Sequence, residues 1–150
     1  MLKNYFKIIF ILIFLLQTSL AISGEEFLSL KKNKVNVRYG PSFDFPIKYI
    51  YKKKDFPLKQ IDKKENFRRI IDYKKNSGWI HISQLKKVNS VIVLKDKIMF
   101  KKPTIFSEPI ATIKKGRLLI MKKCIEDWCK IETKGLKGWV DNQNLWGKIY

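Results

Sequence analysis

The chain has 150 residues, with 32 Lys or Arg against 13 Asp or Glu and a formal net charge of +19. That length gives room for one ordinary domain or two very small ones. One His and two Cys leave too few ligands for a structural zinc site, so neither metal nor cofactor is expected.

The first element is a leader. Lys3 and Lys7 open a short basic region, and Ile8 to Leu16 form an unbroken apolar run of nine. Small residues at Ala21 and Ser23 then suit a processing site. This is the layout of a secretory signal peptide over residues 1–23. Nine residues make about 14 Å of helix, short of the ~30 Å needed to span a bilayer. The expectation is an exported chain, periplasmic in placement, with no transmembrane span in its mature part.

The remainder reads as strand throughout. VNV, PIKYI, FPLKQI, FRRII and GWIHI come first, followed by SVIVL, IATI, RLLIM, WCKIE and GWVD. Gly, Pro, Asp and Asn bound these runs, and no window sustains a helical apolar period. Short strands in this rhythm predict an all-β barrel or sandwich. In CIEDWC, a two-residue turn at Glu126-Asp127 places Cys124 opposite Cys129, at the separation a disulfide needs.

The strands also repeat. VRYGPS returns as MFKKPT, PIKYI as PIATI, ENFRRI as EDWCKI, and GWIHISQL as GWVDNQNL. The blocks keep their order, and their separation drifts from 63 to 60 residues, so small loop insertions separate two copies of one unit. Asp96 marks the expected boundary: 24–95 for the first barrel, with SVIVL as its closing strand, and 96–150 for the second.

VNVRYGPS after a strand, ENFRRI, and GWIHISQL as a strand with a short 3₁₀ turn together resemble the bacterial SH3-like domain. EDWCKI and GWVDNQNLWG repeat the resemblance in tandem. It implies two SH3-like small barrels, export, and non-catalytic binding of cell-wall peptide, glycan or another acidic envelope polymer. The alternative is an adaptor or structural subunit that contacts a periplasmic protein.

If both halves share a barrel, residues common to both serve the scaffold and residues unique to one are candidates for contact. By this comparison Gly78 and Gly138, Trp79 and Trp139, and Leu85 and Leu145 are architectural. Ile47 and Ile50, matched to Ile110 and Ile113, belong to the core. Asn36, Arg38, Tyr39, Tyr49, Tyr51 and the run Lys52, Lys53, Lys54 are left as a ligand groove on the first barrel. Arg38 would grip a carboxylate or phosphate, the tyrosines would offer flat amphipathic surface, and the lysines would attract acidic ligands. The competing reading gives Arg38 to Asp44 or Asp72 and the tyrosines to packing between the barrels. The adaptor alternative uses the Tyr49/Tyr51 face.

The second copy lacks the Asn-x-Arg and Gly-Pro elements, so its expected role is to support the first. No nucleophile–base pairing, P-loop or zinc-protease motif occurs, which argues against catalysis. Only four of the 32 cations are Arg, the better fork for phosphate and base edges, so no specific nucleic-acid partner is expected. The lysines serve either as a solvated coat or as a functional anion-attracting surface.

Overall fold

Fourteen strands, β1 to β14, and one 3₁₀ turn make up residues 26–149, the part described by the computed structural model. The expected leader and its expected processing site lie outside these residues. The strands form two seven-stranded antiparallel sheets of identical connectivity. The first holds β1 (Phe27–Leu30), β2 (Val35–Arg38), β3 (Ile47–Tyr51), β4 (Pro57–Lys64), β5 (Phe67–Ile71), β6 (Ser77–His81) and β7 (Leu85–Lys87). Their spatial order is β3-β2-β6-β5-β4-β1-β7, and the 3₁₀ turn Ile82–Gln84 joins the last two in sequence. The second holds β8 (Ser90–Val93), β9 (Lys97–Phe100), β10 (Pro109–Ile113), β11 (Leu118–Ile125), β12 (Trp128–Thr133), β13 (Leu136–Asp141) and β14 (Leu145–Trp146). They follow the same path, β10-β9-β13-β12-β11-β8-β14. The fold is thus all-β and in tandem.

Each sheet curls around its own core. Leu30, Val35, Val37, Leu58, Ile70, Ile80 and Leu85 fill the first. Val91, Val93, Met99, Ile113, Leu119, Cys129, Ile131 and Val140 fill the second, with Leu145 packed against it. Bulges recur at matching places: Lys48 and Ile110 are the extra residues in β3 and β10, and Ile61 and Lys122 those in β4 and β11. An extra residue bends its strand and raises the local twist, which lets so few strands close on themselves.

The repeated Gly-Trp splits between two faces. A Cβ on Gly78 would lie 2.4 Å from Val37 Cγ1, and one on Gly138 2.5 Å from Met99 Cγ. The glycines therefore let the neighbouring strand close in on the core side. Trp79 and Trp139 project to the outer face and belong to neither core cluster. Even so, Trp139 is buried at 9% exposure and Trp79 is half-buried.

Two further expectations need correcting. SVIVL does not close the first barrel: β8 pairs with β11 and β14, so it opens the second. The division falls at Val88–Asn89 rather than near Asp96. All four β8 residues are buried. Val91 and Val93 enter the second core. Ser90 and Ile92 face the other way, where Ser90 Oγ donates to the carbonyl of Asp55 in the first barrel. A strand covered on both faces reads as an unalternating apolar run, and that made its allegiance ambiguous.

Ile47 and Ile50 are not core residues either, being 45% and 38% exposed, and Ile110 is exposed too. The bulges explain this. Register pairs Tyr51 with Val35 and Ile113 with Lys97, and Tyr49 with Val37 and Ala111 with Met99. Tyr51 therefore corresponds to Ile113 and Tyr49 to Ala111, one residue away from the match of PIKYI to PIATI. A one-residue slip exchanges the faces of a strand.

Candidate functional site

The outer face of β2, β6 and β5 carries the densest set of recognition side chains. Across these adjacent strands Arg38 and Arg69 are both register partners of Trp79. Two inter-strand spacings place the arginine backbones about 10 Å apart. Trp79 is half-buried and Arg69 exposed. Next along the face, Phe67 is the partner of His81. Phe43 from the β2–β3 loop closes over them, with ring centroids 5.2 Å from Phe67 and 5.1 Å from His81.

Arg38 holds that loop in place. Its Nη1 donates to the carbonyls of Phe43 at 3.0 Å and Phe45 at 2.7 Å, and its guanidinium lies 5.4 Å from the Phe43 ring centroid. Neither Asp44 nor Asp72, the suggested acidic partners, is used. Asp44 instead accepts from Ser42 Oγ. Gly40 is required beneath the loop, because a Cβ there would lie 2.5 Å from the Phe45 ring. Tyr39 stands 61% exposed at the mouth of the loop. Lys48, swung out by its bulge, spans from the Tyr39 ring, 5.6 Å from its centroid, to the Ser77 carbonyl at 2.9 Å. Asn36 lies on the outer side of β2, two residues before Arg38.

The expected groove therefore separates into three places. Asn36, Arg38 and Tyr39 share the outer face. Tyr49 and Tyr51 point inward, half-buried against the first core. Tyr51 donates to Asp72 Oδ2 at 3.0 Å, and its ring is 5.2 Å from those of Tyr49 and Phe56. Burial raises both phenol pKa values, with the neighbouring phenol and Asp72 adding to the rise at Tyr51. Both rings are half-buried, so each offers only part of its surface to a partner.

Lys52, Lys53 and Lys54 follow the far end of β3, about 10 Å along the strand from the Arg38 register. All three are exposed. Lys53 faces the second barrel: burial and then the charge of Arg117 lower its pKa. These lysines do not line the arginine face.

Sequence comparison missed Arg69, Trp79, Phe43 and Lys48. Arg69 matches the cationic Lys130 and Trp79 matches Trp139, so subtracting one copy from the other removed both. The usable signal was alternation: Arg69 and Trp79 take the outward phase of strands whose inward phase is Ile70, Gly78 and Ile80.

In the second barrel the corresponding face is aromatic. Phe100 replaces Arg38 and meets Trp128 edge-on at 5.7 Å. Cys124 and Cys129 are register partners and form a disulfide across the β11–β12 hairpin. Among the described residues, no cluster of three or more His, Cys, Asp or Glu could hold a metal ion.

A family model described as the bacterial SH3 domain matches residues 31–87 and again residues 95–147. The chain belongs to the bacterial SH3 domain family. Both matches of this bacterial SH3 pair follow the barrels seen in the structure. No curated protein matches the chain. Among solved structures, NlpC2 from Trichomonas vaginalis is similar at 12% identity and a TM-score of 0.39, over 85% of this chain and 50% of that one. NlpC1 from the same organism is similar at 13% identity and a TM-score of 0.39, over 89% of this chain and 50% of that one. The bacterial SH3 pair thus spans about half the length of either. No helix among its described residues is long and apolar enough to cross a membrane.

Proposed function

We propose that this protein is an exported, non-catalytic binding module, and that its first barrel recognises cell-wall peptide or another anionic envelope component. The observation that carries the reading is the row Arg38–Trp79–Arg69 across three adjacent strands. An extended ligand crossing these strands meets a cation, an indole face and a second cation in turn. Arg69 forms no ion pair among the described residues, so its planar fork can take a carboxylate in two parallel hydrogen bonds. Arg38 has one nitrogen committed to the loop, and its part is to hold Phe43 and Tyr39 in position as well as to add charge.

Sedimentation with purified sacculi tests the proposal. Binding should survive moderate salt, and Arg69→Ala should weaken it about tenfold or more without lowering stability, since a hydrogen-bonded charge pair contributes ~1.5–3 kcal/mol. Arg38→Ala should weaken binding and also loosen residues 39–46. If binding vanishes at modest salt, or Arg69→Ala binds as the wild type does, general adhesion by the lysine coat replaces the proposed site.

A further inference from the structure

The β9–β10 loop of the second barrel presents two bulky apolar side chains to solvent: Phe106, 91% exposed, and Ile105, 67% exposed. Its counterpart in the first barrel lays Phe43, 60% exposed, against the rings of Phe67 and His81 beside Arg38, so Phe106 is the more exposed of the two. Phe100 stands where Arg38 stands and meets Trp128 edge-on, so the second loop has no guanidinium to hold its carbonyls.

The loop is nevertheless tightly held by its own hydrogen bonds. The Lys101 amide donates to the Glu108 carbonyl at 3.0 Å and the Ser107 amide to the Thr104 carbonyl at 3.2 Å. The Lys102 amide donates to Ser107 Oγ at 2.9 Å and the Phe106 amide to Thr104 Oγ1 at 3.3 Å. With its backbone fixed this way, the loop keeps Ile105 and Phe106 facing outward. Both hydroxyls accept inside the loop, and each keeps its own proton for an outside acceptor. Beside Phe106, a recess of about 450 Å³ is lined by Lys101, Lys102, Thr104, Ser107 and Glu108. Glu108 is engaged by Lys101 at 3.3 Å, which leaves Lys102 as the ammonium without an ion pair there.

We infer that this loop docks on an anionic lipid bilayer, with Ile105 and Phe106 entering the acyl boundary while Lys102, Thr104 and Ser107 take a headgroup phosphate. Area argues for lipid over a protein partner. A Phe ring offers on the order of 150–250 Å², and the pair falls well short of the ~800 Å² per side of a stable protein interface. A small apolar wedge backed by cations is enough at a membrane surface, where each contributes separately. The inference is independent of the arginine face on the first barrel.

Vesicle co-sedimentation tests it, using the chain from Gly24 onward, which contains both cores entire. The wild type should bind phosphatidylglycerol-containing vesicles and bind pure phosphatidylcholine much less. Phe106→Ser should weaken binding at least about tenfold, and Lys102→Ala about fivefold. Thermal midpoints should not change, because both side chains are exposed, and Arg38→Ala should bind vesicles normally. Three results would each overturn the inference: no binding by the wild type, Phe106→Ser binding like the wild type through charge alone, or Phe106→Ser losing a captured protein while vesicles are never bound.

Discussion

Tyr51 sets its hydroxyl against the carboxylate of Asp72, which is 3% exposed and turns the chain between β5 and β6. Asp72 Oδ1 accepts from the Lys74 and Asn76 amides at 2.8 and 2.9 Å, and Oδ2 accepts from Asn76 Nδ2 at 2.9 Å. Tyr51→Phe removes one of these four bonds and should destabilise the first barrel by about 1–2 kcal/mol in chemical denaturation. The pH dependence has a definite sign. Burial holds the folded phenol protonated beyond the ordinary value of about 10. Stability is therefore fully kept below about pH 10 and is lost as pH rises above it, where the unfolded chain ionises first. In an ultraviolet phenolate titration Tyr51 and Tyr49 should ionise above the ordinary value of about 10. In Tyr51→Phe the alkaline loss of stability should be shallower than in the wild type.

The β11–β12 hairpin shows how one register position is used differently in the two copies. Cys124 faces Cys129 in the second barrel, and Lys63 faces Arg68 at the same place in the first. Arg68 turns away from the like charge and donates to the carbonyls of Glu65 at 2.9 Å and Phe67 at 3.0 Å. Closing a loop this short constrains the unfolded chain by about 2 kcal/mol in the entropy model. The double variant Cys124→Ser, Cys129→Ser should therefore lower stability by about that amount, and because the two barrels unfold together, hydrogen-exchange protection of the slowest amides in β5 and β12 should fall alike.

This pairing was legible in the sequence, because a two-residue turn fixes register locally. So were the strand runs and their repetition, which rest on alternation and turn residues. Register at β3 was not legible: Lys48 and Ile110 are bulged, and nothing in IKYI or IATI distinguishes an extra residue from a paired one. That single offset reversed the faces of Tyr49, Ile50 and Tyr51. It dismantled the expected groove: Asn36 and Arg38 stay on β2, and Tyr39 follows it at the mouth of the loop.

At the scale of the molecule the two barrels share a buried seam. Ile92 and Val88 are 0% and 2% exposed, yet neither belongs to a barrel core. Around them Phe27 of the first barrel meets Trp146 of the second edge-on at 5.4 Å, and Lys75 lies 5.8 Å from the Trp146 ring centroid. Packing of this kind offsets the small core of a barrel of such size. Calorimetry should show one transition for the wild type. Ile92→Ala should cost about 2–5 kcal/mol and separate the trace into two, because the seam that couples the barrels is then hollow.

Only Val88 and Asn89 connect β7 to β8, and Val88 is itself pinned in that seam. So short a link, with one of its two residues buried, ties the arginine row of one barrel and the Phe106 tip of the other to a single packed seam. A splice of flexible glycines at Asn89 would leave both grips whole and loosen that tie.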